Sequence, residues 1–188
     1  MTKALLGQKL AVLVANGFCE KDLTEMQRAL LKTGANVRII GMDQGLVNSW
    51  NENGWGLNFA ADQMLSEALG ANFSMLVIPG GQRSVDKLKL TAHTRRFIGS
   101  FIDARKPVVV FDQAVDLLAF AQRISGRTVT GPDNVKDEVT NAGGTWAEEA
   151  FVIDGNLMTG GEATGPRAEF VAAALEFLTE SAIVEKAA

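Results

Sequence analysis

The chain has 188 residues, close to one domain at roughly 100–200 residues per domain. Hydrophobic residues make up 47% and charged residues 21%, which excludes a disordered chain. A net charge of −4, one Cys and one His exclude the basic footprint of non-specific nucleic-acid binding, an intrachain disulfide and a multi-His metal site.

The run Leu10 to Ala15 is continuously apolar, as in a parallel strand covered on both faces. It is too short for a signal-peptide core or a membrane span, so a cytoplasmic location is expected. Leu23, Met26, Leu30 and Leu31 then fall on one helical face. Lys32-Thr33-Gly34 ends that helix, and Val37 to Ile40 is a second strand. This is a βαβ unit. Val47 to Phe59 reads as a small β-excursion with Trp50 and Trp55 flanking Asn51-Glu52-Asn53-Gly54, where Asn-Gly is a hairpin signal. Asp62 to Leu69 reads as a short helix. Phe73 to Ile78 is a third buried strand and runs into Pro79-Gly80-Gly81.

Thr91 to Ala104 is helical with Phe97 and Ile98 inward. Pro107 to Phe111 is a fourth strand, and a helix from Ala114 to Arg123 follows at once. Arg127 to Thr130 is a short strand and Asn134 to Ala142 a helix. Asp154-Gly155-Asn156 is a hairpin turn, and Pro166 to Thr179 an amphipathic last helix. Strands alternate with helices, so the class is α/β with a mostly parallel central sheet. Residues 1–188 are expected to form a single domain.

Ligands in such sheets bind at the carboxyl ends of the strands. Three ends carry chemistry: Cys19, Glu20 and Asp22 after the first strand, Gly80 and Gly81 after the third, Asp112 and Gln113 after the fourth. At the fourth, strand passes to helix without a loop. Such a turn displays one side chain from a strained backbone; alternatively, Asp112 is a helix N-cap. Gly80-Gly81 reads either as an oxyanion-binding pair of N–H groups or as a tight turn. His93 reads as a surface residue. Trp50 and Trp55 read as a local apolar cluster or a dimer contact. Arg123 and Arg127 read as helix C-terminal charge compensation. No dinucleotide or phosphate-loop pattern occurs, so no cofactor is expected.

Four segments together resemble the ThiJ/PfpI superfamily, related in fold to class I glutamine amidotransferases. They are Gly17-Phe18-Cys19-Glu20-Lys21-Asp22-Leu23, Val77-Ile78-Pro79-Gly80-Gly81, Lys106-Pro107 through Ala114, and Asp154-Gly155-Asn156-Leu157-Met158-Thr159. The resemblance implies a flavodoxin-like three-layer sandwich. It places Asp112 where the family carries its nucleophilic Cys, and Asp22 where it carries the acidic partner. Gln113 and Ala114 stand for its His and Gly, and Gly160-Gly161 for its Ser-Arg. The Cys-free elbow, with Val115-Asp116-Leu117-Leu118, is also similar to the C-terminal domain of large-subunit catalases.

Without the thiol, the expectation is a non-proteolytic, small-molecule-binding or stress-related module. Gly80, Gly81 and Gln113 are its ligand-binding candidates. The alternative is an enzyme in which Asp22 and Asp112 face each other, share a proton and act by acid/base or hydrolytic chemistry on a small carbonyl, amide or isocyanide-like substrate. Cys19 is a further candidate nucleophile, with a small buried apolar residue as its other reading. The family resemblance also implies a homodimer; a small-molecule partner is expected, and nucleic acid and membrane are not.

Overall fold

The computed structural model describes residues 3–188. The chain opens with β1 (Lys9–Leu13), β2 (Phe18–Cys19), α1 (Glu20–Lys32) and β3 (Asn36–Gly41). A hairpin follows, β4 (Leu46–Asn51) and β5 (Gly54–Ala60), then β6 (Gln63–Met64). Next come β7 (Met75–Ile78), α2 (Gln82–Leu88), α3 (Ala92–Asp103) and β8 (Val108–Phe111). A 3-10 turn, Asp112–Val115, leads into α4 (Asp116–Phe120). The chain closes with β9 (Thr128–Val129), α5 (Lys136–Asn141), β10 (Thr145–Trp146), β11 (Phe151–Asp154), β12 (Leu157–Gly160) and α6 (Arg167–Ala187).

Seven strands make the central sheet, in the order β11-β12-β8-β7-β1-β3-β6. All its pairings are parallel except β11 with β12. This is the flavodoxin-like α/β architecture expected from the alternating strands and helices. The side-chain alternation of a strand explains why the core strands are apolar throughout. Leu10 and Val12 pack on one face with Leu23, Met26 and Leu30 of α1 and Phe170, Ala174 and Leu178 of α6. Ala11 and Leu13 pack on the other with Phe97 and Phe101 of α3 and Leu117 of α4. The chain leaves β1 toward β3 on one side and returns to β7 on the other. That reversal opens a crevice at the carboxyl ends of β1 and β7.

Several expectations are corrected. Asp62 to Leu69 is not a helix. Its backbone is claimed by β3 instead: Ile40 pairs with Gln63 and Gly41 with Met64. The Asp62 carboxylate also accepts the Ile39 N–H at 2.7 Å. Leu31 is exposed, so the inner stripe of α1 ends at Leu30. The helix after β8 starts as the 3-10 turn and stops at Phe120, short of Arg123. The last helix runs on to Ala187, past the expected end at Thr179. The helix α2 and the strand β10 were not legible. In the hairpin, Asn51 pairs with Gly54, so Glu52 and Asn53 form the turn and Glu52 takes the left-handed conformation, φ 51°.

Phe111 ends β8 and is fully buried. Its ring meets Phe170 of α6 edge-on, with centroids 4.8 Å apart. This contact fixes the strand that delivers the elbow. Replacing Phe111 by Ala is expected to cost about 3–5 kcal/mol of stability, through lost burial and the cavity left behind. Urea unfolding of the variant beside the parent measures it; a cost within about 1 kcal/mol would show that the aromatic contact does not hold β8 in place.

Candidate functional site

A cleft of about 490 Å³ opens at the reversal point. Cys19 and Lys21 reach it from β2 and α1, Trp50 and Glu52 from the hairpin, Gly81 and Arg83 from the β7–α2 junction, and Asp112 and Gln113 from the elbow after β8. Glu162 and Arg167 close it from the segment after β12.

The elbow is strained. Asp112 has φ 45°, a left-handed conformation that Asp and Asn tolerate better than most residues. It caps no helix with its side chain, so the N-cap reading is set aside. Instead its carboxylate accepts the Ala163 N–H at 3.0 Å. The register of the sheet makes this possible, because Phe111 lies beside Gly160 of β12. The loop after β12 therefore starts alongside the elbow. Gly161 makes room there: a Cβ on it would lie 2.6 Å from Asp112 Cγ. The glycine that stands for the Ser of the Ser-Arg pattern, Gly160, is itself closely packed, with Phe170 2.8 Å from where its Cβ would be.

Asp22 and Asp112 do not share a hydrogen bond. Asp22 is fully buried and is not part of the cleft wall. One of its oxygens accepts from Arg167 Nε at 2.8 Å and the other from the Gly80 N–H at 3.0 Å. Burial pushes the Asp22 carboxyl above the ordinary Asp range, against the opposing pull of Arg167 and Gly80. Burial is the largest influence on Arg167 and works against its charge, but the bond to Asp22 and the electrostatic pull of Asp22, Cys19 and Glu162 together outweigh it and hold the guanidinium firmly protonated. Arg167 bonds Glu162 as well. Burial pushes the Asp112 carboxyl up to about 6; the charge of Asp22 adds to this, and the N–H groups of Ala163 and Glu162 and the charge of Arg167 oppose it.

The remaining candidates divide. Cys19 lines the cleft, with its sulfur 3.7 Å from Arg167 Nη2. Burial and the neighbouring Asp22 charge push its thiol up to about 11, so almost none is thiolate at neutral pH. Gly80 sits behind the wall with its N–H given to Asp22. The Gly81 N–H donates to Gln113 Oε1 at 3.3 Å. The two glycines thus do not present a free oxyanion pair, whereas Gly81 and Gln113 do face the cleft. Arg167 was missed by sequence reasoning. The available signal was a cation in the first turn of a helix, where the macrodipole disfavours it unless an acid compensates.

Comparison with known proteins adds the following. The model of the DJ-1/PfpI family matches residues 8–177. "Deglycase PfpI" of Pyrococcus furiosus is 26% identical over 151 residues, 80% of this chain and 88% of its own length. "General stress protein 18" of Bacillus subtilis is 25% identical over 148 residues, 79% of this chain and 84% of its own. Among solved structures, a two-domain protein of Anabaena variabilis with DJ-1/ThiJ/PfpI-like and ferritin-like domains superposes with a TM-score of 0.82 at 27% identity. That match covers 91% of this chain but 48% of the Anabaena protein. Drosophila melanogaster DJ-1beta, 20% identical, shares the fold with a TM-score of 0.79 over 96% of this chain and 95% of its own.

The raised carboxyl fixes the sign of a stability test. A folded pKa of about 6 against 3.8 in the free state favours the fold below the lower value and loses that contribution as pH rises through the upper one. Asp112→Asn keeps an acceptor for Ala163 but cannot ionise. The stability of this variant relative to the parent is expected to rise by on the order of 2 kcal/mol between pH 4 and pH 7. Urea unfolding at both pH values measures it; a pH-independent difference would show that Asp112 is an ordinary ionised carboxylate.

Proposed function

The chain belongs to the DJ-1/PfpI family, and on that premise we propose a member that binds a small polar molecule in the cleft and performs no thiol chemistry. The observation that carries this reading is the elbow residue itself. The family resemblance puts the nucleophile at Asp112, and there a carboxyl is bonded to the loop after β12. The chain's single Cys is held as a neutral thiol by burial. Neither group resembles an activated nucleophile, which needs a lowered pKa or an adjacent base. The name of one relative, general stress protein 18 of Bacillus subtilis, supports a stress-related setting for such a module.

A second reading has one observation in its favour. A carboxyl titrating near 6 is suited to moving a proton at neutral pH. In that case Asp112 is the group that meets the substrate, a small carbonyl, amide or isocyanide-like molecule. Asp22 acts only through Arg167 and the Gly80 N–H, because it does not reach the cleft.

Methylglyoxal consumption and amide hydrolysis, measured before and after treatment with iodoacetamide, distinguish these readings from thiol catalysis. The expected result is no thiol-dependent turnover, and the same rates for Cys19→Ser. Robust turnover abolished by alkylation would overturn the proposal and make Cys19 the nucleophile.

We also propose that the protein is a homodimer. Trp55 and Leu57 are 59% and 60% exposed on the hairpin, an apolar surface of the kind that association covers, and closed twofold dimers are the commonest soluble assembly. Light scattering at micromolar concentration is expected to give twice the 20.1 kDa of one chain. A mass matching one chain would contradict it.

A further inference from the structure

We propose that the cleft is built for a small organic monocarboxylate, gripped by the guanidinium of Arg83. This rests on the reading of the cleft as a ligand site and names its ligand class. Arg83 projects from α2 into the cleft, and its guanidinium lies over the indole of Trp50, 4.1 Å from the ring centroid. Among the described residues it has no carboxylate partner. The other cleft cations do: Lys21 pairs with Glu52, and Arg167 with Asp22 and Glu162. Asp86, one turn along from Arg83, is instead held by Gln82 Nε2 at 2.8 Å.

The stacking matters energetically. An Arg side chain carries about 2 kcal/mol of rotamer entropy, and the indole face removes part of it before any ligand arrives. Cation–π stacking leaves the in-plane N–H donors of the guanidinium free. Those donors form a planar fork that matches a carboxylate through two parallel hydrogen bonds. A second donor is fixed nearby in the same wall. The Gly81 N–H holds Gln113 by its Oε1, which leaves the Nε2 hydrogens of the amide without a protein acceptor among the described residues.

Charge selects the monoanion. Arg83 is the one cleft cation left unpaired among the described residues, so it can neutralise one ligand charge. A phosphate dianion would bring a second charge into a wall that already holds Glu52, Asp86, Asp112 and Glu162. The size also fits, since a cleft of about 490 Å³ lies within the range of ordinary small-molecule sites.

The test titrates the full chain with acetate, pyruvate and benzoate, with the neutral amide of each, and with inorganic phosphate. Binding is read by calorimetry and by tryptophan fluorescence, because Trp50 lies directly under Arg83. The expected result is that at least one carboxylate binds about tenfold or more tightly than its amide and than phosphate. Arg83→Gln, an exposed substitution, is expected to lose about tenfold or more in affinity at an unchanged melting temperature. Trp50→Leu, which keeps Arg83 but removes its platform, weakens binding less. Equal binding of the amides would overturn the carboxylate assignment while leaving a ligand cleft. Unchanged binding by Arg83→Gln, or binding of no carboxylate, would also overturn it. Thiol-dependent turnover is a separate outcome, because it removes the reading on which the assignment rests.

Discussion

The site depends on one contact, the Asp112 carboxylate laid against Gly161 and bonded to the Ala163 N–H at 3.0 Å. The contact exists because β8 and β12 are parallel neighbours in register, so that both strands end at the same level. It holds the left-handed backbone at φ 45°, a conformation that costs on the order of 1 kcal/mol or more unless its surroundings enforce it. It also ties the loop leading to α6 against the elbow. Arg167, at the start of α6, is thereby placed where it can enter the wall and bond Asp22.

That placement decides the chemistry of the cleft. Asp22 could have been an exposed partner for Asp112, but Arg167 and the Gly80 N–H occupy its two oxygens. The result is two carboxyls in different settings, both raised by burial: Asp22 is sealed against Arg167 and the Gly80 N–H, while Asp112 lines the cleft. Separation of two acids by environment is a common way for one site to hold a proton at neutral pH. The same buried charges keep the Cys19 thiol protonated, since a negative neighbour and low solvation both oppose a thiolate. Most of the cleft's charges are spent on one another. Among the described residues, Arg83, stacked on Trp50, is the cleft cation without a carboxylate partner.

The framework was legible because strand burial on two faces writes itself as uninterrupted apolar runs, as at Leu10 to Ala15 and Val108 to Phe111. The elbow was legible from the absence of any loop between Phe111 and Asp112. The false helix at Asp62 to Leu69 shows the limit. Its apolar spacing suits a helix, but the ends of β3 offered backbone partners that no local pattern reveals. Candidate residues were found one by one at the strand ends, whereas their pairing was not. Arg167 lies 145 positions from Asp22, and only the packing of α6 beside α1 brings the two together. Nor does sequence show that a missing Cβ at Gly161 is what admits the Asp112 carboxyl.

The most direct test of this account is the titration of Asp112 itself, followed by the ¹³C shift of its side-chain carboxyl in the folded protein, with Asp112→Asn identifying the signal. The account predicts a midpoint near 6, set mainly by burial. A midpoint at or below the free Asp value of about 3.9 would contradict it. Asp112 would then be a well-solvated or strongly paired carboxylate, and the elbow would lack both the burial argued for it and the proton-holding group that the acid/base reading of the cleft requires.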